Sequence, residues 1–456
     1  MVNFFIKTYG CQANVADSQA ISNYLQNLGC CRVEKEKHAD LILINTCAIR
    51  EKAEQKVFSY IGELAEFKVN KKYLQVGVIG CIASYRKKEI LNRFDNVRFV
   101  FGAKEDLYKL QSLLHDIILK IETIKSLSSR EQNLLIKRKS LTGSQIADDK
   151  KILHLGGFKN HTKEVKQSFI NIMTGCNNYC SYCIVPFTRG RESSYSLDEI
   201  LDRVKRDVEL GAKDITLLGQ NVNSYKDPQS NANFSKLLEK VAQIKGDFWV
   251  KFVSPHPKDM TKDVLEIMAQ YSDKLCSYIH HPLQSGSNKI LQAMNRTYTV
   301  EKYLEQIDWI RELLPNATIS TDIIIGFPGE TEIDYQKTVD VLESVKFDNV
   351  YSFIYSPRKY TKAALFKDKC PIDVKLERLK KLQQRQVDIC KEQNNRYVGK
   401  IIKCLVEKRL TNGKLLARTE GNIRVLISGN DDKINKFVQV KIENAGAVNL
   451  IGSIIV

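Results

Sequence analysis

The stretch Ser168-Phe169-Ile170-Asn171-Ile172-Met173-Thr174-Gly175-Cys176-Asn177-Asn178-Tyr179-Cys180-Ser181-Tyr182-Cys183 decides how this chain is read. Ser168 to Met173 is a mostly apolar run with the length of a buried strand. Thr174-Gly175 ends it, and three thiols follow as Cys-x3-Cys-x2-Cys: Cys176, Cys180 and Cys183. A loop directly behind a strand, carrying thiols at this spacing, suits an iron-sulfur cubane. A four-iron cluster normally takes four thiolates, so three leave one iron open to a small molecule. A zinc ion completed by a distant ligand and chance spacing are the competing readings, and the position behind a strand weighs against both.

Downstream, the strand and helix patterns alternate. Asp214 to Leu218, Trp249 to Val253, Ser277 to His281, Thr318 to Ile325 and Asn349 to Tyr355 read as five further strands separated by helical segments. Six parallel units of this kind predict an α/β fold in which an open (β/α)6 barrel carries its chemistry at the carboxyl ends of the strands. Lys375 to Asn394 reads as one more helix. Ile401 to Val406, Leu415 to Arg418, Val425 to Ile427, Phe437 to Ile442 and Ser453 to Val456 then read as the short strands of a small all-β barrel, with turns at Asn412-Gly413, Gly429-Asn430 and Asn444 to Gly446. From Arg396 onward there are eleven Lys or Arg against five Asp or Glu. Lys403, Lys408, Arg409, Lys414, Arg418 and Arg424 are therefore candidates for a basic, RNA-binding groove.

Upstream, Phe4 to Tyr9, Leu41 to Asn45, Leu74 to Ile79 and Val97 to Phe101 read as strands of a parallel sheet. The helices Asp17 to Leu28, Ala53 to Phe67 and Leu107 to Leu119 lie between and after them. Cys11, Cys47 and Cys81 each fall just past a strand end. In a parallel sheet those ends share one edge, so thiols 36 and 34 residues apart can converge there on a second cluster. Simple packing of small apolar residues is the alternative. Packing is the expectation for Cys30, Cys31, Cys276, Cys370, Cys390 and Cys404, which show no ligand spacing. His280 and His281 are likewise read as packed or hydrogen-bonded. Between Ser126 and Lys166 the periodicity is lost, which predicts a linker with a short strand. The expected domains are thus 1–125, a linker over 126–161, 162–394 and 395–456.

Composition sets the outer limits. The 456 residues carry 70 basic and 53 acidic side chains, net charge +17, with 43% hydrophobic and 27% charged residues. These are the values of a folded protein and exclude a disordered or fibrous chain. No apolar run approaches the roughly 18 residues of a membrane span, so no membrane partner and a cytoplasmic location are expected. Twelve cysteines in such a chain favour metal over disulfides. The excess positive charge is compatible with a polyanionic partner.

The loop Cys176 to Cys183 resembles that of the radical S-adenosylmethionine enzymes. The resemblance implies that Cys176, Cys180 and Cys183 hold a 4Fe-4S cluster whose open iron chelates exchangeable S-adenosylmethionine. Two trios in this order, followed by a terminal β-barrel, resemble the methylthiotransferase family of those enzymes over essentially the whole chain. Membership would imply an N-terminal parallel-sheet methylthiotransferase domain with an auxiliary 4Fe-4S cluster on Cys11, Cys47 and Cys81. A central radical domain and a C-terminal OB-like TRAM domain, whose pattern Leu416-Ala417-Arg418-Thr419-Glu420 resembles, would follow. Two S-adenosylmethionine molecules would serve, one giving a methyl group and one a radical.

Several stretches are similar to the branch of that family acting on N6-(dimethylallyl)adenosine in tRNA. These are Leu218 to Tyr225 (LGQNVNSY), Ser254 to Pro257 (SPHP), Leu283 to Ser287 (LQSGS) with Met294-Asn295-Arg296, and Asp322 to Thr331 (DIIIGFPGET). The similarity implies methylthiolation of carbon 2 of the adenine beside the anticodon. The alternatives are threonylcarbamoyl-adenosine in tRNA and a ribosomal-protein aspartate. Implied partners are tRNA carrying isopentenylated adenosine and an electron donor such as flavodoxin or ferredoxin, with the enzyme a monomer. Glycine turns after the fourth and fifth barrel strands would permit close approach to the adenosyl and methionyl groups, or simply make tight turns. Thr188-Arg189-Gly190-Arg191-Glu192 could present arginines to a phosphate or carboxylate. The chain departs from the family pattern at Ser193-Ser194-Tyr195 and at Ser356 to Ala363, so catalytic and substrate-contact residues stay unassigned.

Overall fold

The computed structural model describes residues 1–48, 51–71, 73–105, 107–127 and 165–455. The linker expected over 126–161 lies outside them from residue 128 onward. The chain divides into two compact units, Met1–Lys163 with Ile184–Arg191, and Glu164–Cys183 with Glu192–Val456.

In the first unit, β1 (Asn3–Tyr9), β2 (Cys31–Arg32), β3 (Leu41–Thr46), β4 (Gln75–Gly80) and β5 (Phe99–Gly102) form one parallel sheet in the order β2-β1-β3-β4-β5. The helices α1 (Gln12–Asn27), α2 (Glu51–Asn70), α3 (Cys81–Arg93), α4 (Leu107–Ser126) and the short α5 (Val185–Arg189) complete it. β3 is buried along its whole length because it is central and covered on both faces. Its residues alternate between two cores, Ile42 and Ile44 in one, Leu41 and Leu43 in the other. α1 starts at Gln12, five residues before the expected Asp17, because its buried face includes Asn14, Ser18 and Ser22 and so lacks an apolar period. The two-residue β2, exposed at the sheet edge, leaves no periodic signal.

In the second unit, β6 (Gln167–Asn171) ends two residues before the expected Met173, and β7 (Met173–Thr174) pairs with β8 (Ser193–Ser194) across the cysteine loop. β6 joins β9 (Asp214–Leu218) and β10 (Trp249–Phe252) in the order β10-β9-β6. β11 (Tyr278–His280), β12 (Thr318–Ile325) and β13 (Asn349–Ile354) form the other half-sheet. The open six-strand barrel is therefore two parallel half-sheets, linked by an isolated parallel bridge between Val250 and Leu275. Around it lie α6 (Leu197–Glu209), α7 (Phe234–Ala242), α8 (Lys262–Gln270), α9 (Asn288–Ala293), α10 (Val300–Leu313), α11 (Glu332–Val345) and α12 (Ile372–Asn395). Ser196 with Glu199 and Thr331 with Asp334 form capping boxes that start α6 and α11 at their sequence-marked positions.

β14 (Ile401–Arg409), β15 (Leu415–Thr419), β16 (Arg424–Ile427), β17 (Phe437–Ala445) and β18 (Asn449–Ile455) close a small barrel in the order β14-β15-β16-β18-β17. It packs on the amino-terminal ends of the larger barrel's strands. Trp249 meets Phe437 edge-on, with ring centroids 4.7 Å apart, in a cluster with Cys276 and Leu405. Fully burying side chains of this kind contributes about 1.5–3 kcal/mol each. The turn after β15 supplies Glu420, which accepts from Ser277 Oγ at 3.3 Å, and Gly421, whose carbonyl accepts from Thr318 Oγ1 at 2.6 Å.

Candidate cluster-binding sites

The strand register brings the first trio to one edge. Thr46, the last residue of β3, pairs with Tyr9 at the end of β1 and with Gly80 at the end of β4. Cys47 and Cys81 directly follow Thr46 and Gly80, and Cys11 comes two residues after Tyr9. Cys47 N–H donates to the Tyr9 carbonyl at 2.9 Å, fixing that corner. Cys11 is the N-cap of α1, with its thiol on the Asn14 backbone. Its pKa falls to about 6, first through a hydrogen bond with Cys47, then against burial through the Asn14 and Ala13 N–H groups and the charge of Arg189. Cys81 is buried, which pushes its thiol up, opposed by the charge and hydrogen bond of Arg189.

Two buried asparagines hold this edge, and the sequence reading missed both. Asn14 Nδ2 donates to Asn45 Oδ1 at 2.9 Å and to the Thr46 carbonyl at 3.1 Å. Asn45 Nδ2 returns bonds to the Asn14 carbonyl and to Ser18 Oγ at 2.8 and 2.9 Å. Their only signal in the sequence is an amide within an otherwise apolar strand or at a helix start. Gly80 sits at φ +97°, where a Cβ would strike Asn45 Oδ1 and the Thr46 carbonyl. Arg189, which the sequence offered to a phosphate or carboxylate, meets the Asp17 carboxylate at 2.8 Å.

The second trio lies on the loop between β7 and β8. Gly175 N–H donates to Gln220 Oε1 at 2.7 Å. Asn177 and Glu192 exchange backbone-to-side-chain bonds across the loop at 3.1 and 3.2 Å. Asn221 Nδ2 reaches Asp259 at 2.8 Å and, more loosely, Glu192 at 3.4 Å. From the end of α9, the Met294 carbonyl accepts from Ser181 N–H and the Ala293 carbonyl from Ser181 Oγ, at 2.9 and 2.8 Å. Asn295 Nδ2 donates to the Asn178 and Tyr179 carbonyls. Tyr179 itself turns at φ +47°. Cys176 is buried, which pushes its thiol up to about 11, while Cys180 and Cys183 are half-buried. Arg296 Nη1 lies 3.5 Å from Cys180 Sγ.

Both donor sets fit the clusters the sequence implies: three thiols each, with N–H or guanidinium donors directed at the sulfurs. Among the described residues no three His, Cys, Asp or Glu side chains gather as a single metal ion would need. Of the cysteines expected only to pack, Cys30, Cys276, Cys390 and Cys404 are buried. Cys31 is exposed and Cys370 half-buried, because they lie on the edge strand β2 and in the turn before α12. His281 is buried against Gln306 at 3.0 Å, and His280 bonds Ser320 at 2.9 Å.

The other expectations meet the structure unevenly. Gly286 is required by packing, since a Cβ there would strike the backbone of Lys337 and Thr338 on α11. Among the basic candidates of the terminal barrel, Lys403 pairs with Asp247, Arg409 with Asp431 and Arg418 with Glu407. No helix among the described residues is long and apolar enough to cross a membrane.

Comparison with known proteins bears on the whole chain. Residues 3–102 match the Uncharacterized protein family UPF0004, residues 170–342 the Radical SAM superfamily and residues 395–455 the TRAM domain. The tRNA-2-methylthio-N(6)-dimethylallyladenosine synthase of Carboxydothermus hydrogenoformans is 40% identical over 458 residues, covering 99% of each chain. Its namesake in Clostridium botulinum is 40% identical over 98% of this chain and 96% of its own, and that of Thermodesulfovibrio yellowstonii 38% over 99% and 98%. Among solved structures, the radical S-adenosylmethionine methyltransferase TsrM from Kitasatospora setae, with cobalamin and a 4Fe-4S cluster bound, shares the fold. It matches at TM-score 0.54 and 13% identity over 80% of this chain and 77% of that one. The sheet edge with its three thiols, the cysteine loop behind β6 and the full-length identity agree, and the chain belongs to the tRNA-2-methylthio-N(6)-dimethylallyladenosine synthase family.

Proposed function

We propose that this chain is a radical S-adenosylmethionine tRNA methylthiotransferase. It converts N6-(dimethylallyl)adenosine beside the anticodon into its 2-methylthio derivative, in the cytoplasm, as a monomer served by a flavodoxin- or ferredoxin-like donor. The observation that carries the reading is full-length identity to synthases of that name, joined to two three-thiol sites at strand ends. Cys176, Cys180 and Cys183 are the ligands of the S-adenosylmethionine-binding cluster, and Cys11, Cys47 and Cys81 those of the auxiliary cluster. The domains are 1–125, 162–394 and 395–456, with 126–161 as linker.

When bound, these groups supply the hydrogen-abstracting radical and the sulfur; the chain supplies alignment. Gln220, Glu192 and Asn295 bond the cysteine loop directly, and Asn221 bears on it through Glu192, so the loop is held before any ligand arrives. Asn14 and Asn45 fix the other edge in the same manner. The turn at Glu420 and Gly421 packs on the amino-terminal end of the barrel, opposite to where the cysteine loop leaves β6 and β7.

The test is mass spectrometry of tRNA nucleosides from cells lacking the protein. Loss of the methylthio nucleoside with accumulation of dimethylallyl-adenosine supports the reading. Loss of the threonylcarbamoyl-derived methylthio nucleoside, or of a modified ribosomal aspartate, would transfer the activity to another acceptor.

A further inference from the structure

Beneath Cys180 lies a buried positive charge with no anion matched to it. Arg296 is 8% exposed. Its Nε donates to Tyr298 Oη at 3.0 Å, its Nη2 to the Pro282 carbonyl at 3.1 Å, and its Nη1 to Cys180 Sγ at 3.5 Å. The guanidinium also lies 5.0 Å from the centre of the Tyr298 ring. None of these partners is a carboxylate, and among the described residues no Asp or Glu forms an ion pair with Arg296. The first unit provides the contrast: Arg189, beside Cys81, is neutralised by Asp17 at 2.8 Å.

A buried charge left uncompensated is strongly unfavourable, so a fold that keeps one does so where negative charge will stand beside it. The chain spends consecutive residues on this. Asn295, at φ +57°, turns the backbone after α9 so that its own amide holds the cysteine loop while Arg296 passes under Cys180.

We propose that Arg296 is a positioning residue that raises the reduction potential of the cluster held by Cys176, Cys180 and Cys183, through an N–H···S bond to Cys180 and an unneutralised charge. The inference rests on the assignment of that trio as cluster ligands. Reduction takes one electron from a low-potential one-electron donor, adds one negative charge to the cluster and takes up no proton. A fixed cation at this distance, shielded from water, therefore favours the reduced form. Hydrogen bonds to cluster sulfurs act in the same direction. Arg189 differs in having the Asp17 carboxylate as counter-ion at 2.8 Å, whereas Arg296 has none among the described residues.

The test uses the full chain with Cys11→Ala, Cys47→Ala and Cys81→Ala, reconstituted anaerobically with iron and sulfide so that one cluster remains. Dithionite titration is followed by electron paramagnetic resonance without S-adenosylmethionine. Arg296→Gln is expected to lower the reduced-to-oxidised ratio at fixed ambient potential at least tenfold, which is 59 mV for one electron, and Arg296→Lys to restore most of it. An unchanged midpoint in an iron-replete Arg296→Gln protein overturns the proposal. Should that variant fail to keep its cluster, the parent labelled with 15N-arginine must show nitrogen hyperfine coupling to the reduced cluster that Arg296→Lys lacks; absence of coupling also overturns it. A parent that binds no iron overturns the ligand assignment itself, and iron analysis tells that failure from the others.

Discussion

The Gly421 carbonyl oxygen accepts a 2.6 Å hydrogen bond from Thr318 Oγ1, joining the turn after β15 of the terminal barrel to the root of β12. A Cβ at position 421 would stand 2.7 Å from Thr318 Cγ2. Gly421→Ala is therefore expected to destabilise the chain by about 1–3 kcal/mol, the usual cost of overpacking a tight contact. Thr318→Ser removes the nearer clash while keeping the donor, whose Oγ would still lie 2.9 Å from the new Cβ, so the double variant should recover part of the loss in chemical denaturation.

Each trio should account for half of the inorganic content. Full reconstitution gives about eight iron atoms per chain, and replacing either Cys11, Cys47 and Cys81 or Cys176, Cys180 and Cys183 by alanine leaves about four. Cleavage of S-adenosylmethionine under dithionite should survive the first replacement and vanish with the second. Iron analysis with product chromatography reads both.

Gln220→Ala removes the acceptor of Gly175 N–H, leaving that donor without its partner at a cost of about 1–3 kcal/mol to the loop. In the chain that retains only Cys176, Cys180 and Cys183, this variant should reconstitute less iron than its parent. In the chain that retains only the first trio, it should reconstitute as much. Equal loss in both backgrounds would show that Gln220 acts on the fold at large.

Asp334 links acid sensitivity to the start of α11. Burial opposes its charge, but Lys289 at 2.8 Å, the hydroxyl and N–H of Thr331 and the hydroxyl of Ser287 prevail and hold its carboxyl well below the usual carboxylate range. The unfolded chain then binds more protons than the folded one below about pH 4, so this contribution is complete above that pH and lost as the pH falls further. Asp334→Asn should be less stable at neutral pH, by about 1 kcal/mol from the weakened cap. It should lose stability less steeply than the parent in urea unfolding below about pH 4.

Gly80→Ala tests the first site. At φ +97°, with Asn45 and Thr46 in the way of any side chain, alanine must displace the end of β4 and with it Cys81. The variant should lose the auxiliary iron before it loses helical circular dichroism, since β4 itself is held along its length by β3 and β5.

Where placement in the fold depended on residue type and spacing, the sequence was readable. The trio Cys176, Cys180 and Cys183 is local, and Cys11, Cys47 and Cys81 are marked by strand-ending punctuation that the register of Thr46 with Tyr9 and Gly80 explains. Strands such as Asp214–Leu218 and Thr318–Ile325 coincide with their apolar runs. What escaped depends on distant partners. Asn14 and Asn45 are 31 residues apart and have meaning only once paired. The exposure of Cys31 follows from an edge strand too short to carry a pattern. The early start of α1 was hidden because its inner face is amide and hydroxyl rather than hydrocarbon. The ion pairs of Lys403, Arg409 and Arg418 were not legible because the carboxylates that engage them come from strands, turns and loops elsewhere in the chain.

The stopper formed by Glu420 and Gly421 makes truncation informative. A chain ending at Asn395 would expose Trp249, Cys276, Ser277 and Thr318 to solvent at the amino-terminal ends of the larger barrel's strands. Removing the terminal barrel would thus unseat the larger barrel as well, and a severed core cannot serve as a clean measure of what the terminal barrel contributes.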